Sequence, residues 1–223
     1  MDADQSGPSR SPSGTPQREA VVRAVRRAVV LGDLRPGEKL REVKLAAALD
    51  VSRPTLREAL HLLVQQGWLV QEPYRGFSVT ALDAGAVRDI ARTRLPLDLL
   101  AATAIVEDAS GRRLESVREA WRRYEAASGS DDPLARHEAH VALHHGLWLA
   151  SENTMLLRLW PVTEALTTIA PAQDQARRDD PARAHRVHHE LVEAILGRDL
   201  QRIERELTRH TLDSAEELLA LGS

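Results

Sequence analysis

The sequence predicts a mainly α-helical protein in two parts, an N-terminal winged helix-turn-helix and a C-terminal antiparallel bundle of about six helices. Three observations carry that reading. Residues 42–80 run through two short helical patterns and a hairpin pattern, whereas residues from 81 onward keep a helical period with no convincing alternating strand. The charge divides along the same line: residues 17–80 hold 11 Lys and Arg against 7 Asp and Glu, and residues 81–223 hold 18 against 24, although the whole chain nets only −3. A basic module joined to an acidic one suits a polyanionic partner for the first and ligand binding or self-association for the second.

Residues 1–16, MDADQSGPSRSPSGTP, offer almost nothing to bury, so a disordered tail is expected there. From Gln17 the pattern turns helical, with Val21, Val22, Val25 and Val29 on one face, until Gly32 and the Arg35-Pro36-Gly37 turn end it. Leu45, Ala46 and Leu49 give a short helix, Asp50-Val51 a tight turn, and Ser52 an N-cap for a second helix starting at Arg53 and Pro54. Leu56, Ala59, Leu60 and Leu63 form the inward face of that second helix. Gly67-Trp68-Leu69-Val70, then Tyr74-Arg75-Gly76-Phe77 and Ser78-Val79, read as two short apolar strands around an Arg-Gly tip. The domains divide as 17–80 and 81–223.

In the second part, one stripe runs Val87, Ile90, Arg94, Leu97, Ala101 and Ile105, with Pro96 as a kink, and another runs Leu114, Val117, Trp121 and Tyr124. Further helices are expected at about 133–151, 154–170, 182–196 and 199–220. There is no cysteine, which excludes disulfides and thiolate metal sites, and no apolar run reaches membrane-spanning length. A soluble, cytoplasmic protein is the expectation.

The second helix of the head places Arg53, Arg57 and His61 in a row spaced by four on its outer face, as a helix lying in the major groove of DNA requires. Arg53 and Arg57 are the candidates for base contacts, with Ser52 and Thr55 on phosphates. Arg41, just ahead of the first helix, and Arg75 and Gly76 at the wing tip complete the DNA-binding set.

Eight of the nine histidines follow residue 130. His140 and His144 stand one turn apart, while His188 and His210 occupy positions where their helices would otherwise carry leucine. An i, i+4 pair joined by one imidazole from each of two other helices can hold a borderline divalent ion such as Zn²⁺ or Ni²⁺. Periodicity leaves His137 and His185 open as alternatives on the same faces and assigns His145 and His189 to the surface. Arg94 interrupts an apolar stripe and needs an anion, which is either Asp98 one turn on or a bound carboxylate.

The run LREVKLAAALDVSRPTLREALHLLVQQGWLV, closing on YRGFSV, resembles the DNA-binding domain of the GntR family of bacterial regulators, and VSRPTLREAL (51–60) is its most specific stretch. HVALHHGLWLASEN (140–153), HELVEAI and GRDLQRIERELTRH resemble the helical effector domain, called FCD, of that family's FadR subfamily. The resemblance implies a homodimer on a roughly palindromic double-stranded DNA operator, with Arg53 and Arg57 touching DNA and Gly76 letting the wing approach. It also implies His144, His188 and His210 as metal ligands, with His140 standing where the family usually has an aspartate. Arg94 would line a cavity for a small organic acid that completes the metal's coordination, with Asn153 as a further effector residue. A metal-dependent hydrolase and a DNA-binding protein without effector are the rival functions. The first lacks an obvious carboxylate base, and the second predicts histidines that merely pack.

Overall fold

The computed structural model describes residues 14–160, 163, 164, 172 and 180–220. Helix α1 (Gly14–Val30) begins three residues ahead of Gln17, so the expected tail ends sooner than its composition suggested. Pro16 falls in the first turn, where proline gives up no intrahelical bond. The remainder of that tail lies outside the described residues.

Helices α2 (Glu42–Ala48) and α3 (Arg53–Gln65) flank a turn in which Asp50 takes a left-handed φ of 50°. Ser52 caps α3 as its type predicts, its hydroxyl accepting the Thr55 backbone N–H at 3.2 Å. Strands β1 (Leu69–Glu72) and β2 (Gly76–Val79) pair antiparallel from Leu69 opposite Val79 to Glu72 opposite Gly76, and Lys39 bridges Ser78 alongside. Leu56, Ala59, Leu60 and Leu63 are fully buried against Trp68, Phe77, Val79 and the valines of α1, giving the head a core of its own.

The second part is helical, as expected: α4 (Ala84–Val106), α5 (Arg112–Ser128), α6 (Pro133–Ser151), α7 (154–160), α8 (Pro181–Leu196), α9 (Leu200–Thr208), a π turn (Arg209–Asp213) and α10 (Ser214–Ala220). Asp83, Asp132, Asp180 and Asp199 each cap the helix that follows by accepting a backbone N–H, and Pro133 and Pro181 open α6 and α8. Pro96 sits inside α4 without ending it. The expected helix 154–170 is borne out over 154–160, and most of its remainder lies outside the described residues. Ile105, Val117, Leu143, Leu191 and Ile203 meet at the centre of the bundle core.

Head and bundle meet where α1 packs on the start of α6. Arg27 pairs with Asp132, Arg26 lies 3.7 Å from Glu138, and Leu134 of α6 joins the head core. The Arg26 guanidinium also covers Trp68 at 5.4 Å, and the edge of Trp68 meets His137 at 5.5 Å. His137 is 2% exposed, and neither ring nitrogen meets a partner among the described residues. Burial, with Arg26 adding to it, pushes its pKa down from 6.5 to about 4.

That imidazole sets two expectations. An unfolded imidazole takes a proton near pH 6.5 whereas the folded one resists until about 4, so this group removes stability as pH falls through that window and contributes no slope above it. His137→Leu, which replaces an unpaired buried polar ring by an apolar side chain, should raise stability at pH 7 by about 1 kcal/mol and flatten the acid-side slope in urea titrations. A lower stability with the slope unchanged would contradict this account of the seam.

Candidate functional site

Three elements deliver four imidazoles to one point. His140 and His144 come from α6, His188 from α8 and His210 from the π turn that follows α9, and one nitrogen from each ring lies within 4.8 Å of the others. The His144 Nε2 stands 3.3 Å from His188 Nε2 and 2.9 Å from His210 Nε2. Ring centroids of His140 lie 4.9 Å from His144 and 4.7 Å from His188. His144 and His188 are 1% exposed, while His140 and His210 are half-buried residues.

The His188 ring is held from behind. His188 Nδ1 contacts the Ala184 carbonyl at 2.6 Å, with the Tyr124 hydroxyl at 3.3 Å. A carbonyl only accepts, so Nδ1 carries the hydrogen and Nε2 presents its lone pair to the cluster. Burial leads the depression of all four pKa values, His188 to about 4 and the other three well below the usual imidazole range; mutual repulsion and the Arg94 charge deepen it. The rings are therefore neutral at pH 7, and lone pairs crowd together without protons to bridge all of them.

This donor set fits a tetrahedral divalent ion. Zinc–imidazole bonds of about 2.0–2.1 Å place neighbouring nitrogens roughly 3.4 Å apart; the two closest contacts, 2.9 and 3.3 Å, lie just below that value, and all four nitrogens lie within 4.8 Å. Neutral imidazoles do not oblige the metal to displace protons. Such a group would be held by His140, His144, His188 and His210, and it would supply Lewis acidity toward an anionic oxygen.

The two alternatives that periodicity left open fall outside the cluster. His137 faces Trp68 in the head, and His185 lies against Trp121 and Tyr124 with its Nε2 4.0 Å from Glu125. His189 is exposed as expected, whereas His145 is half-buried and stacks on Trp160 at 4.7 Å rather than lying free on the surface. Arg94 is 8% exposed and finds its internal anion: Nε donates to Asp98 at 2.9 Å, and the other Asp98 oxygen accepts Trp148 Nε1 at 2.6 Å. Its Nη2 has no partner among the described residues. The side-chain oxygen of Asn153, expected as an effector residue, caps α7 by accepting the backbone N–H groups of Met155 and Leu156 at 3.0 and 3.2 Å.

On the head, Arg41, Arg53, Arg57, His61 and Arg75 are exposed. Arg57 Nε lies 3.5 Å from Glu42, Arg75 donates to Glu72 at 3.2 Å, and His61 meets the ring edge of Phe77 at 5.2 Å. Ser52 and the half-buried Thr55 share a 2.8 Å hydroxyl contact, so their first duty is the cap. Gly76 has a φ of 82°, which only glycine takes without strain. Sequence reasoning passed over Tyr74, which stands fully exposed at the wing tip with φ at 64°. The visible signal was an aromatic residue in a Pro-Tyr-Arg-Gly turn.

Residues 17–79 match the family described as Bacterial regulatory proteins, gntR family, and residues 89–213 match the FCD domain. A Bacillus subtilis (strain 168) protein described as uncharacterized HTH-type transcriptional regulator YdhC is 32% identical over 145 residues, 65% of this chain and 56% of its own length. The chain thus spans little more than half of that relative. A Paenarthrobacter nicotinovorans protein, probable D-xylose utilization operon transcriptional repressor, is 26% identical over 212 residues, covering 94% of this chain and 90% of its own. Among solved structures, a GntR regulator from Rhodococcus sp. RHA1 superposes with a TM-score of 0.69 at 22% identity over 92% of this chain and 99% of its own. E. coli McbR/YncC gives 0.67 at 20% over 93% and 99%. These two share the fold.

Metal content tests the cluster. After incubation with Zn²⁺ and desalting, His144→Ala should retain far less metal by elemental analysis than His145→Ala, and chelation should lower the unfolding midpoint of the wild type. Equal metal in both variants would refute the convergence argument.

Proposed function

The chain belongs to the gntR family of bacterial regulatory proteins and carries an FCD effector-binding domain, a transcription regulator and not an enzyme; from that premise we propose that it is a homodimeric repressor whose grip on DNA answers to a small organic acid. The proposal divides the chain at about residue 80 into a DNA-binding head and an effector and dimerisation bundle, and it sets the protein in the cytoplasm beside the chromosome. One observation carries it: an Arg-bearing helix lies exposed on a head that packs directly on α6, the helix that also supplies two of the four converging imidazoles.

Arg53 and Arg57 would read bases in the major groove, Arg41, Ser52, Thr55 and His61 would meet backbone around them, and Arg75 and Gly76 would bring the wing to the adjacent groove. In the bundle, a divalent ion such as Zn²⁺ or Ni²⁺ on His140, His144, His188 and His210 would attract an anion, which Arg94 would help to hold through its free Nη2. Four neutral ligands leave such a centre more positive than one with a carboxylate, and this favours an anionic effector. The repressor sense draws on the P. nicotinovorans relative, which is described as a probable transcriptional repressor. Two heads must fit half-sites about one helical turn apart on a roughly palindromic operator. A ligand that alters their spacing therefore weakens binding, and a coupling of about 1 to 3 kcal/mol would change occupancy roughly 5- to 150-fold.

Binding to an operator selected from random DNA, followed by fluorescence anisotropy, tests the head. Arg57→Ala should cost about 1 to 3 kcal/mol and relax one base preference, and affinity should fall steeply with salt. Unchanged affinity and preference in the variant would remove Arg57 from the interface. Tyr74→Ala should weaken binding without altering metal content, and wild-type affinity in that variant would show a wing tip clear of DNA.

A further inference from the structure

The imidazoles of α8 divide between two faces. His188 turns inward to the central cluster, whereas His185 and His189, four residues apart, flank the indole of Trp121 on α5. The Trp121 ring centre lies 5.3 Å from that of His185 and 5.7 Å from that of His189, and the two imidazoles stand 6.2 Å apart with their planes 17° from parallel. One turn along α5, the Glu125 carboxylate comes within 4.0 Å of His185 Nε2. We propose that His185, His189 and Glu125 form a second metal site, at the surface, for a borderline divalent ion such as Cu²⁺ or Ni²⁺, separate from the buried four-histidine cluster.

The residue types and their spacing suit that chemistry. Imidazoles at i and i+4 of one helix stand one above the other on the same face, as His140 and His144 do at 4.9 Å. Two bonds of about 2.0–2.1 Å to one ion span at most roughly 4.2 Å, and the 4.0 Å between His185 Nε2 and the Glu125 oxygen falls inside that reach. The nitrogens of the central cluster already converge within 4.8 Å, whereas the surface pair closes on its ion by a turn of two accessible side chains. A set of two imidazoles and one carboxylate, open to water, suits the tetragonal coordination of Cu²⁺ and Ni²⁺ better than a closed tetrahedral one.

The neighbouring charges leave the carboxylate available. Arg122 and Arg123 are drawn to Glu115 and Glu119, so among the described residues the ion contact of Glu125 is with His185. Both side chains are more than 40% exposed and His189 is exposed, so an ion from solvent reaches all three without opening the bundle. Tyr124 separates the two centres, its ring 6.3 Å from that of His185 and its hydroxyl 3.3 Å from His188 Nδ1. The sites share no ligand and fill independently. Trp121 supplies a reporter, because Cu²⁺ held by the rings on its face quenches the indole emission.

The untagged full chain is dialysed against Ni²⁺, its metal content is measured by elemental analysis, and tryptophan emission is followed while Cu²⁺ is added. His185→Ala and His189→Ala should each hold one ion per chain fewer than the wild type, while His145→Ala keeps the wild-type content. Glu125→Gln should weaken the binding of that ion, and His144→Ala should retain it. The part of the Cu²⁺ quenching that Trp121→Phe removes should be missing from His189→Ala as well. Wild-type metal content in His185→Ala and His189→Ala, or the Trp121 quenching persisting in His189→Ala, would overturn the proposal. Either result leaves the DNA-binding reading untouched, since none of these residues belongs to the head.

Discussion

The fold is organised around four imidazoles, two buried and two half-buried, whose ring nitrogens converge on one point. Nothing in an apolar core favours that arrangement, since each ring is a polar group that must find a partner. It persists because α6, α8 and the π turn after α9 each fix a ring by packing from behind, with the Ala184 carbonyl fixing the orientation of His188. The leucines around them, Leu143, Leu147, Leu191 and Leu207, are buried on the same faces, so the hydrophobic packing of the bundle holds the nitrogens in position.

Two kinds of polar burial coexist in this molecule. The Arg94–Asp98–Trp148 chain is closed on two of its three members and leaves the Arg94 Nη2 without a partner among the described residues, an arrangement that rigidifies a charge without cancelling it. The ring of His137 is closed on neither nitrogen and lies against the head instead of the bundle interior. The first holds a charge in a fixed place, and the second is a cost carried at a seam.

Much of this was legible in the sequence, and the failures have physical causes. The recognition helix and its serine cap follow from local chemistry, which needs no knowledge of the rest of the fold. Helical period put His140, His144, His188 and His210 on inward faces, yet it could not separate them from His137, because a stripe tells which side of a helix is covered and not by what. The first turn of α6 is covered by Trp68, from residues far away in the chain. His145 was assigned to the surface for the same reason, its cover being Trp160 on the next helix. The π turn gave no signal, since Ile203, Leu207 and His210 keep an ordinary α spacing up to the point where the backbone widens.

His137, His140 and His144 share one stripe of α6, spanning eight residues and about 10 Å of helix axis. One end of that short rod abuts the indole beneath the head and the other end carries two rings of the central cluster. A stiff helix does not stretch, so any slide or roll that the centre imposes on it is delivered undiminished to the indole. Distance between the two parts of this chain is thus no insulation, and whatever occupies the interior has a mechanical line to the surface that faces the double helix.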